Sequence, residues 1–453
     1  MRIENIGGKK GVKLSIITQF YPPDYAATGQ LIEELAKKLS ELGLDVKVFT
    51  GQPGYAFQKQ SAPAVEILER LKIKRSRVAR MWHQRIRGKA VSGFLFCLRA
   101  GIHLLKKRNR GDVLLVTTAP PFLPVIGLLA NLLFKLPYVC LLYDIYPDIA
   151  VELNVVSPHH WVVKLWDFIN KLNWKRAKSV IVLSSTMKER IIAKCPEISN
   201  KIDVIHNWAD PDLIVPIAKE DNWFARQFDS IERFTVLYSG NLGRCHDLET
   251  VMEAAKILQN EPIEFVFVGN GAKCKICQAK VQEWELQNCR FLPYQDKENL
   301  PYSLTAGDLS LVSISAGIEG LVAPSKLYGA LAAGRPIAAI CEPHSYLCEL
   351  LEDAKCGTTV DNGDAHSLAE FIRQLAQDPD LCDRMGKAGR SYLMSHFTLE
   401  IIAREYAGIL MQALAKNIDL EVAEVINKSK AKLRPFDKFR ASQAQLPSQK
   451  SKL

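Results

Sequence analysis

A chain of 453 residues, 48% hydrophobic and 24% charged, has a globular composition and is too long for one core, so two domains of roughly 200 residues are expected. Eleven cysteines without framework spacing exclude a disulfide scaffold and read as reduced thiols of a cytoplasmic protein; the close pair Cys274 and Cys277 lacks the second pair of a zinc finger. The net charge of +10 is concentrated: Arg70 to Arg110 holds fourteen Lys or Arg and no acid, and Lys428 to Lys452 holds eight against one aspartate. Such clusters seek phosphate-rich surfaces, and with no zinc finger, RNA-recognition signature or helix-turn-helix beside them, an anionic membrane surface is expected rather than nucleic acid.

The polar first ten residues carry no signal-peptide pattern and lead into the apolar run KLSIIT, Lys13 to Thr18. FYPPDYAATGQ follows, then Leu31, Leu35, Leu39 and Leu42 at helical spacing, then the strand DVKVFT. Thr28, Gly29 and Gln30 open that helix, where small residues let a ligand approach the backbone; a plain tight turn uses the same residues. Val65 to Arg80 reads as a basic strand and Gly93 to Lys107 as an amphipathic helix ending in cations. The uncharged stretch between Asp112 and Lys135 is interrupted by Pro120, Pro121 and Pro124, which leaves too few helical residues to cross a bilayer. It reads instead as a strand, a helix and, with PYVCLLY, a second strand, buried on both faces as parallel sheets are.

YDIYPDIAVEL, Tyr143 to Leu153, puts Asp144 and Asp148 on a strand-to-helix loop. There they are placed to accept hydrogen bonds from a hydroxylated substrate or to act as a base, although Asp148 equally suits a helix cap. A helix with three tryptophans, the strand SVIVLSS, another helix and KIDVIHN complete a Rossmann-like domain over residues 1–205. Residues 206–233, without period, read as the connection to a second domain over 234–396. This opens with strand, glycine turn and helix in TVLYSGNLGRCHDLETVMEAAKIL, where Gly240 and Gly243 let backbone N–H groups face a phosphate and Arg244 adds charge. Residues 397–426 read as a terminal amphipathic helix, and 427–453 as a basic disordered tail.

Ser313 to Pro336 carries the most chemistry. DLSLVSI ahead of it reads as a buried strand, Pro324 opens a short helix, and Gly334 with Pro336 closes it. The free N–H groups of Ser325 and Lys326 then stand at the strand's C-terminal edge, where open α/β sheets bind ligands, and the lysine charge suits a diphosphate. An ordinary core helix with a surface lysine is the alternative.

The succession YPPDYAATGQ, VIHNWAD, LYSGNLGRCHDLETVMEAA, FVFVGNG, FLPYQDKENLP, GDLSLV and APSKLYGALAAGRPI resembles the family-4 retaining glycosyltransferases of the GT-B fold, in the branch that builds exopolysaccharide and O-antigen. The resemblance implies two Rossmann-like domains facing a cleft, with the nucleotide-sugar donor in the second and a lipid-linked or polysaccharide acceptor in the first. It also implies a last helix crossing back and transfer with retention and no metal or other cofactor; with the basic Arg70 to Arg110 segment, a peripheral place on the cytoplasmic face of the membrane is expected. By the same resemblance Gly240, Asn241 and Arg244 fall in the donor-phosphate loop, with Asn241 where the family has arginine and no lysine around Cys245 to Asp247. Pro293 and Tyr294 fall at the nucleobase, and Asp144 close to a catalytic-site histidine. The family's paired glutamates fall at Leu321 and Gly329, neither an acid; Glu319 lies two residues from the first, and Gly329 one turn from Ser325 and Lys326. With the pair gone, a catalytically silent nucleotide-sugar-binding subunit or a same-fold epimerase stands as the alternative to transfer.

Overall fold

The computed structural model describes residues 11–24, 26–53, 62–76, 86–228 and 230–415. Its first half runs β1 (Lys13–Ile17), α1 (Ala27–Glu41), β2 (Asp45–Thr50), β3 (Val65–Leu68), β4 (Leu71–Arg75), α2 (Ile86–Leu105), β5 (Val113–Thr117) and α3 (Pro124–Phe134). It continues with β6 (Tyr138–Leu142), α4 (Asp148–Glu152), α5 (Trp161–Arg176), β7 (Ser179–Val182), α6 (Ser185–Lys194) and β8 (Ile202–Val204). These strands form one sheet in the order β3-β4-β2-β1-β5-β6-β7-β8, parallel except where β3 meets β4. Every residue of β5, β6 and β7 is buried, the signature of parallel strands covered on both faces. The uncharged stretch after Asp112 resolves into β5 and the eleven-residue α3, and no helix among the described residues is long and apolar enough to cross a membrane.

The second half runs α7 (Trp223–Gln227), β9 (Phe234–Ser239), α8 (Glu249–Ile257), β10 (Ile263–Val268), α9 (Cys274–Glu283), β11 (Cys289–Leu292), α10 (Leu300–Thr305) and β12 (Leu309–Ser313). It closes with α11 (Lys326–Ala333), β13 (Ile337–Ile340), α12 (Tyr346–Ala354), β14 (Gly357–Val360), α13 (Ala365–Gln377) and α14 (Pro379–His396). Its six strands are all parallel, in the order β11-β10-β9-β12-β13-β14. Two parallel-sheet domains are therefore present, as expected. A last helix, α15 (Leu399–Leu414), returns to the first domain and packs on α1, β5 and β6, with Lys38 bonded to Glu400 at 2.6 Å.

Three local readings change. Val65 to Arg80 is not one basic strand but the β3–β4 hairpin, with residues 77–85 outside the described residues. α12 and β14, between β13 and α13, are not foreseen in the sequence, and β14 completes the second sheet. The connection at 206–233 contains the short α7, capped by Asn222, whose side chain accepts from the Phe224 amide. The chain beyond residue 415, including the expected basic tail, lies outside the described residues.

Candidate active site

β9 stands where the second sheet reverses its order: β10 and β11 extend to one side of it, β12, β13 and β14 to the other. At such a switch point a crevice forms beyond the strands' C-terminal ends. The turn after β9 enters it through Gly240, at φ +126°, where a Cβ would also stand 3.2 Å from Cε of Lys326. Gly269, after β10, has φ +137°, and a Cβ there would strike the Gly240 carbonyl oxygen at 2.0 Å. Only glycines allow these two turns to close together.

Lys326 begins α11, whose start no side chain caps, and lies across Gly240. Its Nζ donates to the Tyr238 hydroxyl at 2.9 Å and the Asn241 carbonyl at 3.3 Å, and stands 4.5 Å from the centre of the Tyr238 ring. His246 Nε2 lies 3.4 Å away. The other imidazole nitrogen, Nδ1, is 2.8 Å from the Ser313 carbonyl oxygen; because that oxygen can only accept, Nδ1 carries the proton and Nε2 turns its lone pair to the lysine. Every one of these partners is neutral, and burial holds the ammonium down at about 7. Burial, followed by the Lys326 charge, holds His246 down at about 3, so the imidazole stays neutral.

The remaining donor-side residues surround this centre. Asn241 and Arg244 are exposed, and Arg244 forms no hydrogen bond or ion pair within the described residues. Gly243 lies close to the Asn241 side chain. The Tyr294 ring stands beside Gly269 and its hydroxyl donates to the Asn270 carbonyl at 2.9 Å; Pro293 is exposed next to it. Ser325 is the residue before α11. At Gly329 a Cβ would meet, outside its own helix, Leu304 Cδ1 at 3.4 Å, so a Cβ fits there and borders α10. Leu321 is buried, and its carbonyl accepts from the Ile145 amide at 3.0 Å.

That last bond belongs to a joint between the domains. The loop from β12 to α11 pairs with the first domain through the bridge of Val322 to Asp144, and within the loop Val322 also bridges to Glu319. Glu319 is 1% exposed, and its Oε1 accepts from Thr186 Oγ1 at 2.7 Å while Oε2 has no partner. Arg190 donates to the carbonyls of Glu319 and Gly317. Glu319 thus sits in the domain joint, not in the Lys326 cluster. Asp144 is raised by burial to about 6, and burial together with its charge pushes the facing Cys245 thiol up to about 11.

Besides Glu319, four expected residues of the first domain stay apart from the cluster. Thr28, Gly29 and Gln30 open α1, but what approaches Gly29 is the chain's own Phe20–Tyr21 backbone, 3.0 Å from a Cβ, so the tight-turn reading explains that glycine. Asp148 is held at 2.6 Å by Lys194, which also holds Asp167 at 2.6 Å, and it does not cap α4. In the opposite direction, the structure adds Tyr238, His246, Thr186 and Arg190. His246 could have been suspected as the titratable residue two places beyond Arg244; the others carry no local signal.

Residues 27–208 match the model of the glycosyl transferase 4-like domain, and residues 220–392 that of glycosyl transferases group 1. The chain is 25% identical over 327 residues to the probable glycosyltransferase WbjE of Pseudomonas aeruginosa, spanning 72% of this chain and 79% of that protein. It is 33% identical over 176 residues to the putative colanic acid biosynthesis glycosyl transferase WcaI of Escherichia coli, spanning 38% of this chain and 43% of that one. The solved structure of Anabaena HepE in complex with UDP and glucose superposes with a TM-score of 0.65 at 16% identity, over 88% of this chain and 99% of that one. Two adjoining family matches over two parallel-sheet domains leave one assignment: the chain belongs to the group 1 glycosyltransferases, of GT-B fold.

Proposed function

We propose that the protein transfers a sugar from a nucleotide-diphosphate-sugar donor to a lipid-linked or polysaccharide acceptor, with retention of configuration and without a metal, at the cytoplasmic face of the membrane. The observation that carries this reading is the Lys326 ammonium, held over Gly240 among neutral acceptors only. A cation so placed gains most from an arriving anion, and a diphosphate lying along Gly240 and the uncapped start of α11 supplies one. As the glycosidic bond breaks, negative charge grows on the β-phosphate oxygen, and Lys326 with the exposed Arg244 would stabilise it without reorganising. Tyr238 and His246 hold the ammonium in place. Asp144, at about 6, is an anion at neutral pH and offers an acceptor for the incoming hydroxyl. The presence of UDP and glucose in the HepE structure supports the donor class, and the naming of WcaI supports a polysaccharide or its lipid-linked precursor as acceptor.

The test is release of labelled sugar from a panel of nucleotide sugars, with and without EDTA. Release that EDTA leaves unchanged is the expected result. No release from any donor, despite donor binding, would favour the silent binding subunit, and a loss restored by magnesium or manganese would overturn metal independence.

A further inference from the structure

On the opposite flank of the first domain, β2, β4 and the end of α2 enclose a cavity of about 410 Å³. Lys47, Lys72, Lys74, His103 and Arg108 line it, and no acid does. Strand alternation explains the concentration: Lys47 pairs with Lys72 and Phe49 with Lys74, so the lysines rise from one face of the sheet, the face on which Phe49 stacks against His103. Asp45 and Asp112 lie near enough to act on Lys47, but Asp45 is shared with Arg70, and Asp112 accepts from the Lys13 amide. Lys72, Lys74 and Arg108 form no ion pair within the described residues. Burial, followed by the charges of Lys74, Lys47 and Lys106, pushes His103 down to about 4.

The same face continues into an apolar surface. α2 exposes Phe94, Leu98, Ile102 and Leu105 along one stripe; α3, packed beside it, exposes Leu132 and Leu133; and α5, packed on α3, exposes Leu165, Phe168 and Leu172. Twelve of the twenty-one exposed large hydrophobic side chains among the described residues lie on these three helices, which makes the surface a patch and not scatter. The sole acid in the three helices is Asp167, which Lys194 pairs, whereas Lys106, Lys107, Lys135, Lys175 and Arg176 stand exposed at their C-terminal ends. Of these Lys175 pairs with Glu197 at 2.9 Å, and an apolar face bordered by exposed cations complements an anionic bilayer.

We propose that the first domain docks on an anionic bilayer through the exposed stripes of α2, α3 and α5, with a lipid headgroup phosphate held in the cavity by Lys47, Lys72, Lys74 and Arg108. This deepens the reading of a membrane-borne acceptor, and it locates the attachment in apolar insertion and one phosphate pocket instead of in the charge of residues 70–110 at large.

Flotation of the full chain with neutral phosphatidylcholine vesicles, and with vesicles containing phosphatidylglycerol, at low and high salt, tests it. Wild type is expected to float with the anionic vesicles and to keep a part of that binding at high salt, since apolar insertion is not screened. Leu98→Ser with Leu105→Ser, both exposed, should remove the salt-resistant part. Lys72→Ser with Lys74→Ser should weaken anionic binding about tenfold or more and leave neutral vesicles unaffected. No flotation at low salt, or equal flotation of all three proteins, would overturn the proposal. So would inorganic phosphate binding to a protein that ignores vesicles, which would make the cavity a site for a soluble anion. A dimer in sedimentation that the serine pair dissociates without changing flotation would assign the patch to a second copy. Transfer to a water-soluble acceptor, measured on the same proteins, is expected unchanged in both variants; its absence from wild type would count against the transferase reading and not against docking.

Discussion

Thr186 Oγ1 donates to Glu319 Oε1 at 2.7 Å, joining residues 133 apart in sequence and in different domains. The carboxylate is buried and has no other side-chain partner, so this hydroxyl is what fixes it in the joint between the domains. Thr186→Val removes the donor and leaves the acid unsatisfied, at a cost of about 1–3 kcal/mol. A lowered urea midpoint in Thr186→Val, with a milder effect in Glu319→Gln, which keeps an oxygen for Thr186, is the expected pattern. An unchanged midpoint in Thr186→Val would show that the bond does not hold the joint.

Lys326→Ala should lower turnover by about a hundredfold or more, the scale for losing one group that stabilises developing charge, with a smaller change in donor affinity. Tyr238→Phe keeps the ring beneath the ammonium but removes the hydroxyl that accepts from it, and should fall between the two. Steady-state kinetics on both variants check the order. Full activity in Lys326→Ala would show that α11 only fills the core.

The lysine also makes donor binding depend on pH. In the empty protein Lys326 titrates at about 7, below its ordinary 10.5, so at pH 8 to 9 it is largely neutral. A diphosphate restores the charged form, and binding then draws in a proton; UDP affinity should fall as pH rises above 7, by at most about tenfold per unit. The stability sign is the reverse. Between pH 7 and 10.5 the unfolded chain holds the proton that the folded chain has released, so the cost of burying this lysine shrinks as pH rises through that window. Calorimetry in buffers of different ionisation enthalpy measures the proton taken up, and Lys326→Met should abolish it.

Gly329→Glu tests the glutamate that the family resemblance places there. Outside its own helix only Leu304 lies near a Cβ there, at ordinary contact distance, and replacing an interior helical glycine adds up to about 1 kcal/mol of stability. The melting temperature should rise or hold. If donor binding also tightens, the slot faces the ribose; if it is unchanged, the α10 side of this helix has no part in the site.

How much of this was legible in the chain varied with the range of the interaction. β2 is bounded as DVKVFT predicts, and α11 closes on Gly334 at φ +65°, because strand periodicity and a glycine cap are local signals. The β3–β4 hairpin escaped because its two-residue turn is Glu69–Arg70, not the Asn-Gly that announces such turns. α12 was readable: Ser345 caps it, and Tyr346, Leu347, Leu350, Leu351 and Ala354 form its buried stripe. β14 was less so, a four-residue GTTV with one buried position. Lys326 at a helix start beyond a strand's C-terminal edge is legible from DLSLVSI and Pro324, but its grip by Tyr238 and His246 spans 80 to 88 residues, and nothing in a local pattern encodes it.

The return of α15 to the first domain bears on how the protein is made. Ile402, Tyr406, Ile409 and Leu410 are buried parts of a core shared with β1, β5 and β6, of which β5 and β6 leave the ribosome roughly 300 residues earlier and β1 earlier still. At about 5–20 residues per second the first domain therefore waits on the order of 15 to 60 s with that surface uncovered, and the second domain folds in the interval. A nascent chain arrested before Leu399 should bind chaperones and resist release in native form, whereas one arrested far enough past Leu414 for α15 to clear the exit tunnel should not.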